Sequence, residues 1–150
     1  MGASSSLENA PRWAWDLLET EPVGRLGLLD GSGHPRVLPV TFARVGAELW
    51  SAIDDKPKRV PGAELARERW LRARPDTALT IDRYDDDWTR LAWVQVLGRT
   101  EIVDAGGRDD VLDALAGRYR HYRERRPSGP LLRLSPSRVI YWRAETDILR

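Results

Sequence analysis

Gly24-Arg25-Leu26-Gly27-Leu28-Leu29, then Asp30-Gly31-Ser32-Gly33, then Arg36-Val37-Leu38-Pro39-Val40-Thr41-Phe42-Ala43: two apolar runs flank a stretch built for a tight turn. Asp and Gly between hydrophobic runs are the short-range signature of a β-hairpin. Pro39 has no backbone N–H to offer a ladder, so the second strand is expected at a sheet edge or a bulge. Gly46 marks another turn, and residues 48–53 read as a third strand. Three strands joined by short turns make an antiparallel meander.

Outward from this meander the period changes. Residues 9–19 read as a short helix, with Asn9 placed to cap it and Pro11 tolerated in the first turn. Residues 63–74 read as a second helix ended by Pro75, with Leu65, Trp70 and Leu71 for the core. Residues 77–83 alternate as a strand, with Leu79 and Ile81 on one face. Residues 91–103 make a long strand with Gly98 as a bulge. In it Val94 and Val96 face the core, and Trp93 and Gln95 face the other way. Residues 108–123 read as one helix, because Val111, Leu112, Leu115, Tyr119 and Tyr122 keep helical spacing. Residues 131–143 hold the last strand, with Val139-Ile140-Tyr141-Trp142 as its centre. Strands in antiparallel runs, with helices between the runs, point to an α+β fold with a closed or nearly closed sheet.

Composition narrows the function. The chain has 150 residues and a net charge of +1, so one domain is expected and no global field calls for a nucleic acid. It has no cysteine, which removes thiol chemistry and thiolate metal sites. No apolar run approaches the ~20 residues that span a membrane. The Gly2/Ser6 spacing of a myristoylation signal is present but short. Residues 1–8 read as a flexible start, and a cytoplasmic protein is the default expectation. The chain carries seven Trp against one Phe and one Met. Such rings suit cores, subunit interfaces and walls for planar ligands alike.

Chemistry-bearing motifs are sparse. There is no Gly-x-Gly-x-x-Gly after a strand, no phosphate loop and no nucleophile elbow. His34 falls in a turn and His121 on a helix, with no metal-ligand spacing, so no metal site is expected. Asp85-Asp86-Asp87 reads as a solvated turn cap. The five arginines of residues 118–126 read as the wet face of a helix. The strongest candidate is Asp54-Asp55-Lys56-Pro57-Lys58-Arg59, which follows directly on a strand. Three cations stiffened by a proline can converge on an anion such as a phosphate. On charge alone, a solvated turn is the commoner outcome. With no nucleophile or metal in view, any redox chemistry here is carried by a bound cofactor.

Taken together, Gly24-Arg25-Leu26-Gly27, Arg36-Val37-Leu38-Pro39-Val40-Thr41-Phe42, Leu49-Trp50-Ser51-Ala52-Ile53-Asp54-Asp55-Lys56-Pro57-Lys58-Arg59 and Tyr84-Asp85-Asp86-Asp87-Trp88-Thr89-Arg90 resemble the pyridoxamine 5′-phosphate oxidase-like superfamily. More narrowly, they resemble its deazaflavin (coenzyme F420)-dependent branch. The likeness runs over residues 23–142. It implies an α+β, antiparallel split β-barrel (the FMN-binding split barrel) with flanking helices. It also implies a homodimer with two cofactor sites at the interface and a single cofactor-binding domain over residues 1–150. In that pattern Arg36, Val40, Thr41, Trp50, Ser51, Ala52 and Ile53 line the ring and its ribityl chain. Lys56, Lys58 and Arg59 take the phosphate, and Trp93 and Gln95 come from the second subunit. The implied activity is hydride transfer between coenzyme F420 and a small organic substrate. The alternatives are an FMN enzyme of the same fold or a non-catalytic flavin carrier. Two departures bear on this choice. Thr41 stands where oxidase-like members carry a lysine, and their C-terminal substrate segment with Arg and His has no counterpart here. Both departures argue against oxidation of pyridoxamine phosphate, and the missing lysine, which leaves the basic run as the main anion holder, suits the deazaflavin branch better. No nucleic acid or membrane partner is implied.

Overall fold

The computed structural model describes residues 1–53 and 65–144. The basic run that includes Lys56, Lys58 and Arg59 therefore lies outside the described residues.

Eight strands form one antiparallel sheet: β1 (Gly2–Ser4), β2 (Gly24–Leu29), β3 (Pro35–Val40), β4 (Ala43–Val45), β5 (Glu48–Ala52), β6 (Asp76–Arg83), β7 (Ala92–Val103) and β8 (Leu131–Arg143). Helices α1 (Arg12–Thr20), α2 (Ala66–Ala73), α3 (Asp109–Arg118) and α4 (Arg120–Glu124) complete the α+β architecture, with a single 3₁₀ turn at Trp88–Arg90. The strands run in the order β3-β2-β6-β7-β8-β5-β4, and β1 pairs with β8 off this path. The two end strands of the path, β3 and β4, are consecutive in the chain. Only Thr41 and Phe42 separate them, so Val40 and Ala43 lie within about 11 Å. The ends of the two edge strands therefore lie close together at this link.

The β2–β3 hairpin forms as the turn chemistry requires. Asp30 Oδ1 accepts hydrogen bonds from the amides of Ser32 (2.9 Å) and His34 (3.0 Å), and Gly33 takes φ +80°. These bonds, led by that from His34, hold the Asp30 carboxyl below its usual range. Among the described residues β3 pairs only with β2, so Pro39 is on an edge strand as expected.

The β7–β8 ladder shifts register between Leu97 and Gly98. A Cβ on Gly98 would lie 2.1 Å from the Ser135 carbonyl oxygen, so this bulge admits glycine alone without backbone movement. Gly98→Ala is expected to cost about 2 kcal/mol of unfolding free energy. Urea denaturation measures it, and a cost near zero would mean that the bulge yields freely.

The core is split in two, with β5 between the parts. Leu49 and Ile53 join a cluster with Leu17, Leu18, Leu26, Ile81, Val94 and Val96. Trp50 and Ala52, on the opposite face, join Val111, Leu115, Tyr122 and Leu131. Each side of β5 is thus buried, which explains its apolar continuity.

Several local expectations are corrected. Pro11, not Asn9, occupies the N-cap position of α1, with no side-chain cap. The amide of Ala10 bonds the Leu7 carbonyl at 3.0 Å, and Leu7 is fully buried; this turn places Asn9 ahead of the helix. The start of the chain, read as flexible, carries β1, whose residue Gly2 lies beneath the Tyr141 ring. The apparent single strand over residues 36–43 breaks at Thr41–Phe42. The apparent single helix over residues 108–123 breaks at Tyr119, which adopts φ −120° and ψ 121°. Within β8 only Val139 of its central four residues is fully buried; Ile140, Tyr141 and Trp142 are half-buried.

Candidate functional site

The two breaks face each other. Tyr119 Oη accepts a hydrogen bond from the Phe42 amide at 3.0 Å, and it lies 2.9 Å from the Phe42 carbonyl and 2.8 Å from that of Pro22. Tyr122 Oη lies 2.9 Å from Thr41 Oγ1. The Arg118 guanidinium donates to the carbonyls of Leu18 (2.9 Å), Glu21 (2.7 Å) and Phe42 (3.0 Å). It also stacks 4.6 Å from the Phe42 ring centroid. An unbroken helix would point Tyr119 and Tyr122 along one face. The break at Tyr119 lets both hydroxyls reach the link between β3 and β4. Arg118 is accordingly not on a wet helix face, as its sequence neighbours suggest; it binds the end of α1 to that link. Burial keeps the Tyr119 phenol above its ordinary pKa despite the Phe42 amide and the Arg118 charge, so it stays a neutral donor.

On the outer side of the link lies an open cleft of about 170 Å³. Pro39, Val40 and Thr41 form one wall, Ser51 and Ala52 another, and Val23 and Arg67 close it. Ser51 Oγ donates to the Thr41 carbonyl at 2.6 Å, tying the two walls together. Arg67 enters from the first turn of α2. Its Nε is buried and has no hydrogen-bond partner among the described residues. The next residue, Glu68, is 3% exposed, with Oε1 also unpartnered, but it does not border the cleft. An unmet buried N–H costs about 1–3 kcal/mol, so Arg67 awaits an acceptor.

Four residues singled out in the sequence meet here: Val40, Thr41, Ser51 and Ala52. The others do not. Trp50 and Ile53 are each 1% exposed, one in each core cluster, because the residues of β5 alternate between the two cores. Arg36 lies over the Trp70 ring at 5.0 Å and 3.8 Å from Asp30, at the hairpin end of β3. Trp93 and Gln95 are half-buried on the side of β7 turned away from Val94 and Val96. There Trp93 stands opposite Trp142, and Gln95 Nε2 donates to Thr80 Oγ1 at 3.3 Å. Sequence reasoning missed Val23, Pro39 and Arg67. Arg67 is hidden in Ala66-Arg67-Glu68-Arg69, which reads as an ordinary charged helix face. Its one distinguishing signal is its position in the first helical turn after the basic run of residues 54–59.

A family model described as pyridoxamine 5′-phosphate oxidase matches residues 11–140. No curated protein sequence matches the chain. Among solved structures, a conserved hypothetical protein from Mycobacterium tuberculosis superposes with a TM-score of 0.70 at 16% identity, covering 93% of this chain and 88% of that one. A FAD-binding protein from Mesorhizobium loti gives 0.61 at 21% identity, covering 93% and 96%. The heme storage protein HutZ from Vibrio cholerae gives 0.67 at 12% identity, covering 89% and 95%. At these identities the likeness is one of fold.

Proposed function

Since the chain belongs to the pyridoxamine 5′-phosphate oxidase family, we propose that the Thr41 cleft receives a flavin-type cofactor and that Arg67 binds its phosphate. The observation that carries this is the buried Nε of Arg67 at the cleft wall, without a partner among the described residues. A guanidinium presents paired N–H donors in the geometry a phosphate accepts. Lys56, Lys58 and Arg59 add positive charge in the segment that joins β5 to α2. Val40, Pro39 and Val23 offer an apolar surface to a flat ring, and Thr41 offers a hydroxyl to its polar edge. Neither histidine borders the cleft, which makes heme a poorer fit than a flavin.

A cofactor bound here supplies hydride transfer to a small organic substrate, and the chain binds and orients it. We favour a deazaflavin, coenzyme F420, over FMN because Thr41 rather than a lysine follows β3. The phosphate is then held from α2 and the basic segment. The cleft is about half the smallest usual ligand pocket of roughly 300 Å³. One chain therefore covers only part of such a cofactor, and we assign the remainder to a second copy. The half-buried Trp93 and Trp142, side by side on β7 and β8, give that copy an aromatic surface to cover.

Titration of the purified protein with coenzyme F420 and with FMN, followed by fluorescence and alongside sedimentation velocity, tests the proposal. The expected result is saturable binding, tighter for coenzyme F420, to a species of twice the chain mass. Tighter FMN binding would replace the deazaflavin reading, and binding of neither would remove the cofactor site. A cofactor-loaded protein with no hydride transfer to any acceptor would make it a carrier.

A further inference from the structure

Thr41 and Phe42 are held more firmly than a two-residue link requires. The Thr41 carbonyl is taken by Ser51, the Phe42 amide by Tyr119 and the Phe42 carbonyl by Arg118. The backbone on both sides of the Thr41 side chain is thus fixed by β5 and by the α3–α4 corner. One freedom remains, rotation of the Thr41 hydroxyl, and Tyr122 removes it at 2.9 Å. Tyr122 is itself 5% exposed, packs edge-on against Tyr119 with ring centroids 5.8 Å apart, and does not border the cleft. A buried tyrosine on one element thus determines where the hydroxyl of a cleft-wall threonine points.

We infer that Tyr122 is a positioning residue for the cofactor cleft, acting through the Thr41 hydroxyl; this rests on the cofactor reading above. When the tyrosine O–H donates to Thr41, the threonine proton is free to point into the cleft. When the threonine donates, its lone pairs face the cleft instead. In both arrangements the ligand's polar edge meets a hydroxyl of fixed direction. Preorganisation of this kind raises affinity because binding orders nothing further. Without the tyrosine hydroxyl, Thr41 turns among its staggered rotamers and only a fraction of molecules presents the right one.

The test is a double-mutant cycle on Thr41→Val and Tyr122→Phe, read as the dissociation constants of coenzyme F420 and FMN, with thermal melts of each protein. Each single variant is expected to weaken binding about fivefold to tenfold, the worth of one hydrogen bond. The double variant is expected to be no weaker than the weaker single, because both changes break the same Thr41–Tyr122 hydrogen bond to the cleft wall. Thr41→Ser, which keeps the hydroxyl, is expected to bind within about twofold of wild type. A purely structural role for Tyr122 predicts a lower melting temperature with additive binding losses, and that result would overturn the inference. So would wild-type affinity in Tyr122→Phe. Both leave the cofactor reading standing, whereas a wild-type protein that binds neither cofactor overturns the reading and the inference together.

Discussion

Replacing Arg67 with alanine is expected to weaken binding of a phosphate-bearing flavin or deazaflavin by about 100-fold. It should leave the melting temperature of the free protein unchanged or slightly raised. The two halves of this expectation come from the same atom. In the free protein the buried Nε of Arg67 has no acceptor among the described residues, so its removal forfeits no bond to them and relieves an unmet donor. In the complex, the guanidinium gains charge-assisted hydrogen bonds worth about 2–3 kcal/mol, which is near 100-fold in affinity. Arg67→Lys keeps the charge and loses the planar fork, so it should fall between the two. Raised salt should narrow the gap, since charge attraction at an open cleft is screened. Isothermal titration of the three proteins settles the point. Affinities within twofold of each other would mean that the phosphate is held elsewhere, with Lys56, Lys58 and Arg59 the next residues to replace.

Arg118→Ala is expected to be the most destabilising change at the α3–α4 corner, at about 3 kcal/mol. Its guanidinium satisfies two carbonyls at the end of α1 and one at Phe42, while its plane covers the Phe42 ring. Cations that hydrogen-bond the last carbonyls of a helix also meet the negative end of its dipole. Truncation leaves the Leu18 and Glu21 carbonyls to find water or go unmet and leaves that of Phe42 to Tyr119 alone, and it uncovers a fully buried phenylalanine. Arg118→Lys should recover little, because a single ammonium cannot span three carbonyls set in different directions. Urea unfolding gives the value. A loss below 1 kcal/mol would show that solvent replaces the three bonds at no cost.

What was legible in the sequence is what local chemistry dictates. Asp30-Gly31-Ser32-Gly33 gives its hairpin because its bonds are made within five residues. Residues 94–97 alternate because one side of β7 faces the core and the other does not. Gly98 marks its bulge because the Ser135 backbone leaves no room for a side chain. The cleft was half legible: Val40, Thr41, Ser51 and Ala52 stand at strand ends that the pattern locates. The two breaks were not legible, since nothing in Thr41-Phe42 or Tyr119 resembles a turn. Each is imposed by hydrogen bonds to residues about 80 positions away, which no window of sequence contains. Arg118 was misplaced for the same reason. A helical wheel sees charge and assigns it to solvent, while the fold supplies it with carbonyls.

The strand β8 has a consequence in time. It pairs with β1 at its far half, with β5 at its near half and with β7 along nearly its whole length. A chain emerging from the ribosome therefore holds three strand edges without partners until residues 131–143 have been made. The β2–β3, β4–β5 and β6–β7 hairpins can form early from neighbouring residues, but β1 and the outer edges of β5 and β7 must wait. Waiting edges are templates for pairing between chains. This makes the interval before β8 is synthesised the period in which aggregation competes with folding, and a truncation just before Leu131 the shortest route to insoluble protein.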